Sequence, residues 1–161
     1  MSERAGPLAD IKIVDLSQVI AGPYGTSLLS HAGADVIKVE LLTGEIARSL
    51  AAGFYGWNRG KRGIALNLRS EEGREILYRL ARWADVLVEN FRPGVMEKMG
   101  FGYDELCKLK RDIILVSVSG FGQYGPYRDR PAFDPLGQAM SGLMSLTGAP
   151  FGQPLGAATS L

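Results

Sequence analysis

Short apolar bunches alternate along the chain with stretches of helical period, and each change of period marks an element. The first bunch, Ile11-Lys12-Ile13-Val14-Asp15-Leu16, is rich in β-branched residues and reads as a buried strand. Residues 24–31 then have helical character, with Gly33 in the place of a C-cap. Asp35-Val36-Ile37-Lys38-Val39-Glu40 is a second strand. Strand, helix and strand within about thirty residues predict a βαβ unit, parallel and right-handed. Residues 41–63 hold five glycines and no clear period, so they read as irregular, with a short strand at 64–66. Ser70-Glu71-Glu72 supplies a capping hydroxyl and two first-turn acids, and Ile76, Leu77, Leu80 and Ala81 follow at helical spacing. Asp85-Val86-Leu87-Val88-Glu89 is the next strand, and Pro93 is read as opening a short helix that ends near Gly100. A helix at 104–110, the clearest strand of all at 113–119 and a last helix at 134–146 complete the pattern. Alternation of this kind predicts an α/β fold: a mostly parallel sheet with flanking helices.

Composition narrows the function classes. The chain has 161 residues, one domain or one domain and part of another, and its 46% hydrophobic content is enough for a core. A net charge of +1 argues against nucleic acid held by bulk charge. No apolar run approaches the roughly 18 residues of a membrane helix, and the N-terminus has no apolar signal core. The single Cys107 excludes an internal disulfide and fits a reducing cytoplasm. With His31 the only histidine, no Cys/His zinc cluster forms and no metal is expected. The 27 residues from Pro135 to Leu161 carry no charge. Such an end is expected of a chain cut mid-domain or docked on a partner; a disordered tail of small residues is the alternative.

Gly120-Phe121-Gly122-Gln123-Tyr124-Gly125 spells G-x-G-x-x-G after the best strand. The dinucleotide fingerprint also needs a helix starting inside the motif, and Pro126 followed by a charged loop forbids one. An NAD-dependent oxidoreductase is therefore disfavoured, although the loop lies at a strand's C-terminal edge, where α/β proteins place ligands. Asn90-Phe91-Arg92-Pro93-Gly94 offers a strand end, a flat ring, a fixed cation and a helix start, which suits a phosphate-bearing ligand with an aromatic ring. A plain capped turn with a solvated arginine is the competing reading. Lys61, Arg62 and Arg69 add cations. His31 reads as a helix C-terminal charge and Cys107 as a small core residue. Asp15, Glu40 and Glu89 fall at strand ends without a base that sequence alone pairs with them.

Five blocks in order make a specific pattern. They are Ile13-Val14-Asp15-Leu16 with Ala21-Gly22-Pro23; Gly33-Ala34-Asp35-Val36-Ile37-Lys38-Val39-Glu40; Lys61-Arg62-Gly63-Ile64-Ala65-Leu66-Asn67-Leu68; Ala84-Asp85-Val86-Leu87-Val88-Glu89-Asn90-Phe91-Arg92-Pro93-Gly94; and Ser117-Val118-Ser119-Gly120-Phe121-Gly122 with Gly125-Pro126. Together they resemble the family III CoA-transferases, the group of formyl-CoA and carnitine CoA-transferases and α-methylacyl-CoA racemases.

The resemblance implies a Rossmann-like fold, incomplete relative to the family, with residues 1–161 as the N-terminal part of the CoA-binding domain and the chain ending inside it. It implies a homodimer of interlocked chains, coenzyme A as substrate, and transfer of CoA from an acyl-CoA to an acceptor carboxylic acid. In that reaction an Asp carboxylate attacks the thioester, and the departing CoA thiolate returns to form an enzyme thioester that the acceptor resolves. A non-catalytic CoA-binding or assembly module is the second reading. Carried over by position, the CoA contacts fall on Ile20, Ala21, Leu66, Asn67, Leu68, Arg69, Asn90, Phe91, Arg92 and Lys98, then on Arg130, Pro131, Ala132 and Phe133. Some transferases have Gln where Ile20 stands and Arg where Leu41 stands. The racemases place a catalytic His where Phe133 stands, so racemisation is disfavoured. The family's nucleophilic Asp follows a pattern like residues 154–161 and would come two positions after Leu161, so no catalytic residue is assigned and the chain alone is expected to be inactive.

Overall fold

The computed structural model describes residues 5–50 and 52–157, in two compact units that divide after Val118. In the first unit five strands form one all-parallel sheet: β1 (Lys12–Asp15), β2 (Asp35–Glu40), β3 (Arg62–Ala65), β4 (Val86–Glu89) and β5 (Ile114–Ser117), in the order β3-β2-β1-β4-β5. Among the described residues, five α-helices accompany it: α1 (Ala21–His31), α2 (Ala52–Trp57), α3 (Glu71–Trp83), α4 (Val95–Lys98) and α5 (Tyr103–Leu109). The expected α/β fold is what the chain adopts.

The two sheet faces are built differently. On one, α3 and α5 cover a continuous apolar core of Val14, Leu16, Val39, Leu77, Ala81, Leu87, Phe101, Leu106 and Ile113. Ser70 caps α3 by accepting the Gly73 N–H at 3.2 Å, and its acids occupy the first turn as the sequence predicts. On the other face the apolar cluster is small: Ile13, Ala34, Val36 and Val88. The alternation along the strands explains the rest. Asp15 shares a face with Ile13, Lys38 shares it with Val36, and the register sets Asp15 directly beside Lys38.

Several boundaries differ from the sequence reading. The stretch read as irregular contains a 3-10 turn at Ile46–Leu50 and then α2, where bulky Phe54 buries without an amphipathic repeat to announce it. The helix expected from Pro93 starts only at Val95 and lasts one turn, because Gly94 takes the left-handed conformation (φ +83°). In the second unit, α6 spans Asp134–Met140 and a 3-10 turn spans Leu143–Leu146. The single helix expected there is interrupted at Gly142, whose φ is +81°. No helix begins inside the G-x-G-x-x-G segment, in agreement with the Pro126 argument. Through Ala157 the uncharged segment is held within its unit: the Gln138 side chain accepts the Ala157 N–H at 2.7 Å and donates to Asp134 at 2.6 Å. Residues 158–161, the end of the nucleophile-preceding pattern, lie outside the described residues.

Leu77 is completely buried between α3 and the sheet. Leu77→Ala is expected to cost about 2–5 kcal/mol, read as a lower urea midpoint at unchanged slope. A loss under about 1 kcal/mol would mean that α3 is not seated on this core.

Candidate functional site

All five strands run the same way, so their C-terminal ends share one edge of the sheet. The chain leaves β1 toward β2 but enters β4 from β3, which makes the gap between β1 and β4 the topological switch point, the place where such sheets bind ligands. The loops after β1 and β4 flank that gap. They are joined directly: the Asn90 side chain accepts the Gln18 N–H and donates to the Gln18 carbonyl, both at 2.7 Å.

Beneath the β1 loop lies a buried polar knot that the sequence reading left unpaired. The Asp15 carboxylate accepts from the Ser17 N–H (2.9 Å), the Ser17 hydroxyl, the Thr26 hydroxyl (2.7 Å) and Lys61 (2.8 Å). Lys61 spends its other two hydrogens on the Pro23 carbonyl and the Asn58 side chain, each at 2.8 Å. Lys38 donates to the Ser17 carbonyl at 2.7 Å and pairs with Glu45 at 2.9 Å. Burial alone would raise the Asp15 carboxyl, but Lys61 and then Lys38 outweigh it and hold it below its ordinary range. Burial pulls the Lys61 ammonium down while Asp15 opposes it, and all three of its hydrogens are accepted. The packing is tight enough to specify glycine at 22, where a Cβ would come within 2.2 Å of the Ser17 Cβ.

The residues assigned by resemblance are placed unequally. Ile20 and Ala21 sit at the start of α1, and Asn90, Phe91 and Arg92 follow β4, so these five flank the switch point. Residues 66–69 follow β3 on the same C-terminal edge. Leu66 is buried and Leu68 packs on the core, which leaves Asn67 and Arg69 exposed; Asn67 accepts the Arg69 N–H at 3.1 Å in a side-chain turn. The Phe91 ring packs against the apolar core instead of standing free as a flat face. Lys98 is the last residue of α4 and is exposed. Among the described residues, Arg69, Arg92 and Lys98 have no carboxylate partner. Arg130, Pro131, Ala132 and Phe133 belong to the second unit, where the Arg130 guanidinium stacks 4.1 Å over Tyr127 and Phe133 is exposed.

A cleft of about 560 Å³ opens elsewhere, between β2, β3 and α2. It is rich in cations, but Lys38, Arg48, Lys61 and Arg62 there are already paired with Glu45, Glu40, Asp15 and Asp35. It holds none of the residues that the resemblance assigns to CoA.

The profile of CoA-transferase family III matches residues 8–161. The chain belongs to that family. It is similar to an acetyl-CoA:oxalate CoA-transferase of Acetobacter aceti, 45% identical over 157 residues that cover 92% of this chain and 40% of that protein. A succinate–glutarate CoA-transferase of Agrobacterium fabrum is 39% identical over an alignment of 176 residues, covering 100% of this chain and 44% of the relative. A CAIB/BAIF family protein from Brucella suis superposes with a TM-score of 0.92 at 40% identity, over 96% of this chain and 44% of the other. The family III chain thus spans less than half the length of these relatives.

One further carboxyl stands at this edge. Glu89, the last residue of β4, is buried; burial raises its carboxyl above the ordinary range against hydrogen bonds from the Ser117 hydroxyl and the Phe91 N–H. A folded value above the unfolded one of about 4.3 means that the fold holds this proton more tightly. The stability it contributes is full below the unfolded value and is lost as pH rises through the folded one. Glu89→Gln is therefore expected to gain stability relative to the unsubstituted chain between pH 4 and pH 7, by urea unfolding at both. A relative loss over that interval would reverse the assignment.

Proposed function

We propose that the chain supplies the CoA-binding part of an enzyme that moves CoA from an acyl-CoA to a carboxylic acid through an Asp-linked intermediate. The observation that carries this reading is the convergence of the 20–21, 66–69 and 90–92 segments on one sheet edge, with uncompensated Arg69 and Arg92 exposed there. Phosphates are bound by cations that have no carboxylate of their own, because a paired arginine must first give up a partner. On this reading Arg92, Arg69 and Lys98 take the phosphates of CoA. Ile20 and Ala21 line the path of the pantetheine arm, and Phe91 anchors the loop that carries Arg92. The resemblance also counts residues 130–133 among the CoA contacts.

The chemistry follows from the family's covalent route. An Asp carboxylate attacks the thioester carbonyl and expels CoA thiolate, leaving a mixed anhydride. The thiolate then attacks the aspartyl carbonyl, releasing the donor acid and leaving an aspartyl thioester. The acceptor carboxylate reverses these two steps with its own acyl group. The attacking Asp of this reading lies outside the 161 residues. Asp134, an acid in the region of the assigned 130–133 segment, is in the first turn of α6 and accepts from Gln138 at 2.6 Å, which lowers its nucleophilicity. The same reading takes the full-length protein as a cytoplasmic homodimer.

Calorimetry with CoA tests the binding site. Arg92→Ala is expected to weaken CoA by roughly tenfold or more, from loss of a charge-assisted phosphate contact. Unchanged affinity in both Arg92→Ala and Lys98→Ala would show that the site is elsewhere. Incubation of the 161-residue chain with an acyl-CoA, an acceptor acid and hydroxylamine is expected to give no protein hydroxamate by mass spectrometry. A hydroxamate on Asp134 would overturn the division between binding and acylating parts.

A further inference from the structure

We infer that Asn90 is a positioning residue: its side-chain amide clamps a strained turn at Gln18-Val19 in the shape that presents Ile20 and Ala21, and it makes no contact with the ligand itself. The inference rests on the CoA-binding reading and sharpens it, since the resemblance counts Asn90 among the CoA contacts.

Val19 has φ +65°, in the left-handed region. A β-branched side chain is a rare occupant of that region, because Cβ crowds the following carbonyl. Such a conformation persists only where the surroundings over-determine it, and outliers of this kind gather at ligand sites. The surroundings here are specific. Both polar groups of the Gln18 backbone are taken by the two ends of the Asn90 amide, N–H to Oδ1 and carbonyl to Nδ2, each at 2.7 Å. One residue earlier, the Ser17 N–H is held by Asp15 at 2.9 Å and the Ser17 carbonyl by Lys38 at 2.7 Å. Four consecutive backbone groups before the outlier are thus fixed by side chains from β1, β2 and the end of β4. After it, the chain enters α1 at once, with the Tyr24 N–H donating to the Ile20 carbonyl at 2.7 Å.

The amide has spent its oxygen and one of its N–H groups on this task. Its position also gives it leverage. Asn90 follows β4, which pairs with β1 in register Asp15↔Val88, so one side chain ties together the two loops that flank the switch point. A turn held this way reaches the ligand already ordered, and the entropy of ordering it is not subtracted from affinity.

A double-substitution cycle separates clamp from contact, because glycine adopts positive φ without steric cost and removes the strain the clamp resists. CoA affinity by calorimetry, and amide hydrogen exchange at Val19 and Ile20 by NMR, are to be measured for the unsubstituted chain, Asn90→Ala, Val19→Gly and the double variant. Asn90→Ala is expected to weaken CoA about tenfold and to speed exchange at Val19 and Ile20. In the Val19→Gly background the same substitution is expected to cost several-fold less. An equal loss in both backgrounds would mean that Asn90 touches the ligand and would overturn the inference, as would exchange at Val19 and Ile20 unchanged by Asn90→Ala. Asn90→Asp keeps the acceptor and removes the donor, and it takes the place of the alanine variant in the cycle if that variant does not fold. If the unsubstituted chain does not bind CoA, the functional reading fails by itself. The exchange arm alone then decides the clamp, for it when exchange is faster in the variant and against it when exchange is unchanged.

Discussion

A carboxylate at the end of the central strand, with no exposure to water, obliges the rest of the structure to answer it. Asp15 sits on the sheet face where Ile13 and Val36 are apolar, and an isolated charge there would be costly to desolvate. The answer comes from three directions: Ser17 in the following turn, Thr26 on α1 and Lys61 just before β3. The Lys61 side chain is nearly as buried as its partner's, so the two ions depend on each other and on their hydrogen bonds. Removing one member of such a pair strands the other and costs about 3–5 kcal/mol, although an apolar replacement of both can be nearly neutral. The pair therefore specifies geometry more than it adds stability. It fixes the end of β1, the first turns of α1 and the entrance to β3 against one another.

That division of labour explains why the two faces of the sheet look so unlike. The α3 face is held by apolar packing around Leu77 and Phe101, which is strong and tolerant of small shifts. The α1 face is held by directional bonds, which are intolerant of displacement. The strained turn at Val19 lies on the second kind of support. A left-handed valine rests better on a lattice of hydrogen bonds than on methyl groups, because the former fixes peptide orientation and the latter fixes only volume.

Element order and sheet type were legible in the sequence because β-branched strands and the α3 repeat are local signals. The stretch 41–63 hid α2 because Phe54 buries without any helical repeat of apolar neighbours. The start of α4 was misplaced because Pro93 favours a helix start while Gly94 takes a left-handed conformation just after it. For the site, the motifs placed the assigned loop segments on one sheet edge, since strand ends are readable and parallel strands must share an edge. Partnership was not readable. Lys61 pairs across 46 positions and Asn90 bonds across 72, and nothing local marks either as a partner. The one available hint was parity: Asp15 and Lys38 interrupt strands at positions of the same face as Ile13 and Val36, and charges there must find each other or a mate.

The same accounting of partners distinguishes a site from a cleft. The opening beside β3 is rich in cations, yet four of its five positive groups, all but Arg59, already hold carboxylates. An anion drawn to those four would have to displace their carboxylates or share their cations. Among the described residues, Arg69 and Arg92 on the C-terminal edge and Lys98 on α4 are exposed and hold no carboxylate. On the proposed reading, a cation without a carboxylate of its own meets a phosphate without first giving up a partner. With a net charge of only +1 across the chain, cations that hold no carboxylate follow from position and not from composition. The turn before α1 and the loop after β4 flank the switch point, and the Asn90 amide joins them there, so neither can move without the other.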